Sequence, residues 1–292
     1  MKPFIATILA ATALLAGSAR AAPDWDAVGK ALGKAGAMQP GGIYKVSLPR
    51  TDLKVTLDGV ALKAGFALGS WVAFEPMGDE AMAMGDLVLT HTEVNAVMSR
   101  LEDSGFEITA LHNHLLRSQP ATMYMHVEGH GDPVKLAAAL HAALALSKTP
   151  LATPPPSSAG SAAFALDVAA IDAILSAKGK VNGGVLQYSI ARKGQIMSGG
   201  MAVPPPMGTA TAINFQPTGP GHAAITGDFV LVAAEVNPVI KALRGHAIEV
   251  TAVHNHMLND EPRIFFMHFW ANNDARLLAE GLQAALRQTD RQ

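Results

Sequence analysis

One stretch of ten residues occurs twice in this chain. Glu107–Leu116 reads EITALHNHLL and Glu249–Leu258 reads EVTAVHNHML, an offset of 142 (249 minus 107). The same offset relates Gly41-Gly42 to Gly183-Gly184, Gly85-Asp86 to Gly227-Asp228, Glu93-Val94-Asn95 to Glu235-Val236-Asn237, and Met125-His126 to Met267-His268. Ala73–Pro76 and Asn214–Pro217 match one residue out of step, so one small insertion is compensated by another. A period this long exceeds that of solenoid repeats, so each copy is a whole domain. Thr149–Ser161 (TPLATPPPSSAGS) has no periodicity and reads as a Pro- and Ser-rich linker. The domains are expected over 23–148 and 162–290.

Both copies can build a core. Of 292 residues, 49% are hydrophobic and 16% charged. The formal net charge of -2, with no long basic run, argues against nucleic acid as a partner, because such a surface needs concentrated positive charge. The N-terminus reads as a secretory signal over 1–21: Lys2, an apolar run from Phe4 to Ala16, then the small-x-small site Ala19-Arg20-Ala21. The run is shorter than the roughly 20 residues of a membrane span. The expected mature chain starts near Ala22, is periplasmic or secreted, and has no membrane span. There are no cysteines, so neither disulfides, thiolate ligands nor a lipidated cysteine are available.

Within the first copy, the pattern predicts a helix over Asp24–Gly36 and strands over Gly42–Pro49, Leu53–Leu57, Phe66–Phe74 and Asp86–Thr90. A helix over Thr92–Ser104 carries the stripe Val94, Val97, Met98, Leu101. Strands follow over Phe106–Leu115 and Thr122–Glu128. Asp132 and Asp274 read as N-caps of closing helices. The class is therefore α+β: a tandem duplication of an antiparallel-sheet domain with helices on one face. The second half of each copy runs β-α-β-β-α, a ferredoxin-like order. The earlier strands either extend that sheet or form another.

Six of the 11 histidines fall at matched positions: His112, His114, His126, His254, His256 and His268. Residues i and i+2 of a strand share a face, so His112 and His114 point the same way. A short return places His126 opposite His114 on that face. Three neutral imidazoles converging from two strands suit a divalent metal, zinc foremost and copper or iron as alternatives. The same three histidines also fit a core held by bonds to backbone. Glu93 and Glu235 are candidate catalytic acids or bases, and equally favourable charges at a helix start. Met125 and Met267 alternate away from the histidine face. There is no GxSxG, P-loop or dinucleotide fingerprint.

Gly-Gly-Ile-Tyr-Lys-Val-Ser-Leu-Pro-Arg (41–50), Leu-Gly-Ser-Trp (68–71), Met-Gly-Asp-Leu-Val-Leu (84–89), Thr-Ala-Leu-His-Asn-His-Leu-Leu (109–116) and Met-Tyr-Met-His (123–126) resemble the DUF1259, or LppY/LpqO, family across essentially the whole mature chain. The resemblance implies an exported bacterial protein of the cell envelope, without established catalytic residues. It also brings a "peptidoglycan-binding" label carried by some members. The family's mycobacterial namesakes are called lipoproteins, and this chain departs from them in lacking the cysteine.

Three functional readings follow. A three-histidine metal site in each repeat would suit a hydrolase using metal-activated water, or a metal carrier. An envelope protein without catalysis would recognise glycan, peptide or a small molecule, with Trp71, Tyr124, Phe266 and Trp270 as stacking surfaces. Alternatively, the two clusters meet at one interface about a pseudo-twofold axis.

Overall fold

The structure is a computed structural model that describes residues 22–152 and 164–291. The expected signal segment, 1–21, and residues 153–161 of the expected linker lie outside the described residues.

Each repeat is one six-stranded antiparallel sheet. In the first, β1 (Ala37–Gln39), β2 (Ile43–Pro49), β3 (Gly69–Met77), β4 (Glu80–Thr90), β5 (Glu107–His112) and β6 (Thr122–Gly131) lie in the order β1-β2-β3-β4-β6-β5. Helices α1 (Trp25–Leu32), α2 (Val94–Glu102) and α3 (Pro133–Leu144) pack on one face. The second repeat copies this with β7 (Lys180–Asn182), β8 (Val185–Ala191), β9 (Ala210–Gly219), β10 (His222–Val232), β11 (Glu249–His254) and β12 (Ile264–Asp274). Its helices are α4 (Val168–Leu175), α5 (Ala233–Gly245) and α6 (Ala275–Leu286). The expected α+β class and the ferredoxin-like order are present: β4 and β5 flank β6, with α2 crossing over. The earlier strands extend the same sheet.

Local chemistry sets the helix ends. Asp24 accepts from Ala27 N–H at the start of α1, and Gly33 closes that helix at φ 84°. Asp132 accepts from Val134 and Lys135 N–H, and Asp274 from Arg276 and Leu277 N–H, as expected of N-caps. The boundaries before β4 differ from expectation. Phe66 lies in a short helix, Ala64–Ala67, and the strand starts only at Gly69. Leu53–Leu57 contributes just Thr56–Leu57, paired with Val60–Ala61. β4 starts at Glu80 rather than Asp86, because both its faces are buried and its run Ala81–Gly85 shows no polar alternation.

That double burial explains the architecture. In β4, Ala81, Ala83, Leu87 and Leu89 pack under the helices, while Met82, Met84, Asp86 and Val88 face the other way. β10 repeats the pattern, with Ile225, Phe229 and Leu231 under helices and Asp228 and Val230 on the far face. The far faces of the two sheets meet. Each is also covered by the other repeat's arm. In the first repeat's arm (50–68), Val55, Leu57, Leu62 and Phe66 pack with Val185, Ala224 and Trp270 of the second repeat. In the second repeat's arm (192–209), Ile196, Val203 and Met207 pack with Ile43, Ala73, Met82 and Met84 of the first. Polar links fix the exchange: Lys63 N–H donates to Gln216 Oε1 at 2.8 Å, Gln216 Nε2 to Ala61 O at 2.8 Å, and Lys45 Nζ to Pro206 O at 2.7 Å.

Candidate metal centre

The six matched histidines lie together where the two inner faces meet. His112 stacks on His254 with ring centroids 3.4 Å apart, His114 on His268 at 3.5 Å, and His126 on His256 at 3.7 Å. Tyr124 extends one column by stacking on His114 at 3.3 Å, and its counterpart Phe266 stacks on His256 at 3.3 Å. Within each repeat the spacing is wider and nearly the same. His112 is 5.1 Å from both His114 and His126, and His254 is 5.2 and 4.9 Å from His256 and His268. The repeats therefore present two facing triads related by a pseudo-twofold axis.

The strands aim these rings. His126 sits directly across from Asp86 on β4, and His268 from Asp228 on β10, so each pair shares the inner face. His126 is opposite Ala110, not His114 as the sequence suggested, because the connection over 113–121 is longer than a tight turn. His114 lies past the end of β5 and is placed by its stack between Tyr124 and His268. Met125 and Met267 are fully buried on the helix side, as alternation requires.

The Nε2 nitrogens are buried and unpaired among the described residues, whereas three Nδ1 atoms are bonded. Nδ1 of His112, His254 and His268 lies 3.1, 2.9 and 2.7 Å from the carbonyls of Asn113, Asn255 and Gly227. A carbonyl can only accept, so each Nδ1 carries the proton and each Nε2 presents a lone pair. The Nε2 atoms of all six histidines are buried without a hydrogen-bond partner among the described residues. Burial holds His112 and His254 down at about 4 and His268 at about 3, and holds His114, His126 and His256 well below the usual imidazole value. All six are thus neutral near pH 7, the form that ligates metal. Nε2 or Nδ1 atoms of His112, His114 and His126 lie within 4.8 Å of one another, as do those of His112, His254 and His268, and of His126, His254 and His256. Each triad has the donor type and spacing of a divalent metal site.

Two carboxylates lie beside the cluster, and neither stood among the residues expected from the sequence. Asp86 Oδ2 is 3.9 Å from His114 Nε2, and its Oδ1 is 4.0 Å from His126 Nε2. Asp228 Oδ2 is 3.3 Å from His256 Nε2, and its Oδ1 is 3.9 Å from His268 Nε2. Burial pushes the Asp86 carboxyl well above its usual range, and the nearby Asp228 adds to that. Burial raises Asp228 as well. The signal was available, since both aspartates belong to a Gly-Asp pair repeated at the common offset.

Glu93 and Glu235 are placed elsewhere. Glu93 accepts from Arg50 at 2.8 and 3.1 Å, from Thr90 N–H at 2.8 Å and from Lys148 N–H at 2.9 Å. Glu235 accepts from Arg192 at 2.6 and 3.1 Å, from Val232 N–H at 2.8 Å and from Asp290 N–H at 2.9 Å. Each carboxylate joins a strand, a helix start and the end of its repeat.

The central residue of each His-Asn-His also has a distinct task. Asn113 Nδ2 donates to Thr251 O at 3.1 Å, and Asn255 Nδ2 donates to Thr109 O at 2.9 Å. The motif thus carries two cluster rings and, between them, a clamp onto the other repeat's edge strand. Removing a bond of this kind leaves a backbone carbonyl short of a donor and costs about 1–3 kcal/mol. Asn113→Ala and Asn255→Ala are each expected to lower the urea-unfolding free energy by about 1–2 kcal/mol. An unchanged midpoint in both variants would show that the clamp contributes nothing.

The fold and site define a duplicated α+β protein with one histidine-carboxylate cluster shared between its halves. The chain belongs to the family described as Domain of Unknown Function (DUF1259), whose model matches residues 26–146 and again 169–288. No curated protein matches. Among solved structures, it is similar to a trimeric bacterial microcompartment shell protein PduB at 11% identity, covering 86% of this chain and 90% of that one. It is also similar to EtuB from Clostridium kluyveri at 8%, covering 86% and 88%. Both have a TM-score of 0.20.

Proposed function

We propose that this chain is an exported metal-binding protein whose two repeats jointly hold divalent metal in a single histidine centre. The observation that carries the reading is the set of six buried Nε2 atoms without partners. An unsatisfied buried polar atom costs about 1–3 kcal/mol. Ten buried side-chain nitrogens and oxygens lack a partner among the described residues, and eight of them are these histidine and aspartate atoms. A core of satisfied histidines would instead bond its ring nitrogens to backbone at both ends. Zinc suits three imidazoles and a carboxylate best, with copper and iron as alternatives. A bound ion supplies Lewis acidity and, at an open coordination position, an activated water. Here the Nε2 donors and the facing Oδ1 atoms are buried, which favours retention of the ion, as in a carrier or a structural centre, over turnover of substrate.

Recognition of glycan by stacking has less support. Tyr124, Phe266 and Trp270 are all buried, and the Trp71 ring is covered by Lys45 Nζ at 3.9 Å. Export rests on the signal-like segment before Ala22. Among the described residues, no helix is long and apolar enough to cross a membrane.

The test is elemental analysis of protein purified without an affinity tag, beside the His112→Ala/His254→Ala variant. Wild type is expected to retain metal through dialysis, and the variant to lose most of it. Equal metal in both, or none in wild type after zinc loading, would end the metal reading. N-terminal sequencing of the protein from a periplasmic extract should read Ala22-Pro23-Asp24.

A further inference from the structure

The number of donors bears on how many ions the centre takes. Six imidazole nitrogens and two carboxylates face one another, and Nε2 of all six of these histidines and Oδ1 of both aspartates are buried without hydrogen-bond partners among the described residues. One tetrahedral ion would engage four of these groups and leave four orphaned. One octahedral ion would still leave two. Division into two equal sets uses all eight, and the duplication has already made that division. The first repeat contributes His112, His114, His126 and Asp86. The second contributes His254, His256, His268 and Asp228.

We infer that the centre is binuclear, with one divalent ion held by three histidines and one aspartate of each repeat. This rests on the metal-binding reading above and adds its stoichiometry and two further ligands. The spacings agree. Ligand atoms about 2.0–2.1 Å from a tetrahedral ion stand roughly 3.3 Å apart. The carboxylate oxygens lie 3.3–4.0 Å from the Nε2 atoms they face, one at that spacing and three about 0.6–0.7 Å beyond it. The two triads stack with rings 3.4–3.7 Å apart, so ions held by them are separated by about the 3.5–4 Å of two-metal centres. The first repeat's His112, His114 and His126 fall within 4.8 Å of one another, and so do two triads drawn from both repeats, so the two sets lie in one continuous cluster.

Native mass spectrometry of the full chain loaded with zinc and dialysed should show two ions per chain. Asp86→Asn and Asp228→Asn should each retain one. Because a substituted core can misfold, a second measurement uses wild type alone. Copper(II)-loaded protein should give an electron paramagnetic resonance spectrum with a half-field transition, or be silent, as expected of two coupled ions. One zinc per chain at saturation with an isolated-copper spectrum would overturn the binuclear assignment and leave the metal-binding reading standing. No retained zinc would remove both.

Discussion

Expressed separately, residues 22–152 and 164–292 are expected to fold poorly and to retain no metal, whereas co-expression should restore both. The expectation follows from the exchanged arms and the shared inner faces. Alone, the first repeat would return Tyr124, Val88, Met82 and Met84 to water, and would leave its own arm without a surface to cover. Each large side chain so exposed costs about 1.5–3 kcal/mol. Four or five such losses equal the whole stability of a typical domain, about 5–15 kcal/mol. The second repeat loses Phe266, Val230 and Trp270 in the same way. With no disulfide available in either half, nothing covalent compensates. The readouts are the cooperativity of urea unfolding and the zinc retained after dialysis. A single repeat that unfolds cooperatively and keeps a tightly bound ion would show that each domain folds and binds by itself, and the dependence of each repeat on the other would be wrong.

Arg50→Leu is expected to destabilise the protein by about 3–5 kcal/mol while leaving its metal content unchanged. Arg50 is fully buried, and donates to Val88 O at 2.7 Å, to Glu93 and to Asp52. Removing it strands the Glu93 carboxylate in the interior. For a chain of this size the loss corresponds to a fall in Tm of roughly 6–20 °C, at about 2–4 °C per kcal/mol. Glu93 also predicts a pH dependence. Burial opposes its ionisation, but hydrogen bonds from Arg50 and from the Thr90 and Lys148 N–H groups outweigh that and hold it at about 2. A depressed carboxyl contributes stability that is fully present above its unfolded value, near 4.3, and is lost as pH falls toward 2. Glu93→Gln should therefore flatten the acid limb of the stability curve between about pH 4.5 and 2. If Glu93→Gln instead abolished a metal-dependent activity at unchanged stability, the carboxylate would be catalytic, as its place near the histidine strand first suggested.

Much of this was written in the order of residues. The common offset showed two domains, and period-two and helical stripes predicted the class and most elements. The six histidines stood out because they recur while five others do not. Asp86 and Asp228 recur at the same offset. They were missed because an aspartate inside an apolar strand has many uses, and only its cross-strand partner, His126 or His268, reveals this one. Glu93 and Arg50 show the converse. Both are duplicated, at Glu235 and Arg192, and in each repeat the two are paired with each other.

The sequence by itself determined that His112 and His126, and likewise His254 and His268, would face one side of a sheet, because alternation along a strand is a local property; His114 and His256 lie past the strand ends and are placed by stacking. Only the tertiary structure decided that the two faces close on each other and make one cluster. That outcome depends on contacts between residues more than 100 positions apart: His112 on His254, Asn113 on Thr251, and an arm of each repeat laid over the other. Local periodicity fixes which way a side chain points, whereas which surface comes to face it is set by packing across the whole chain.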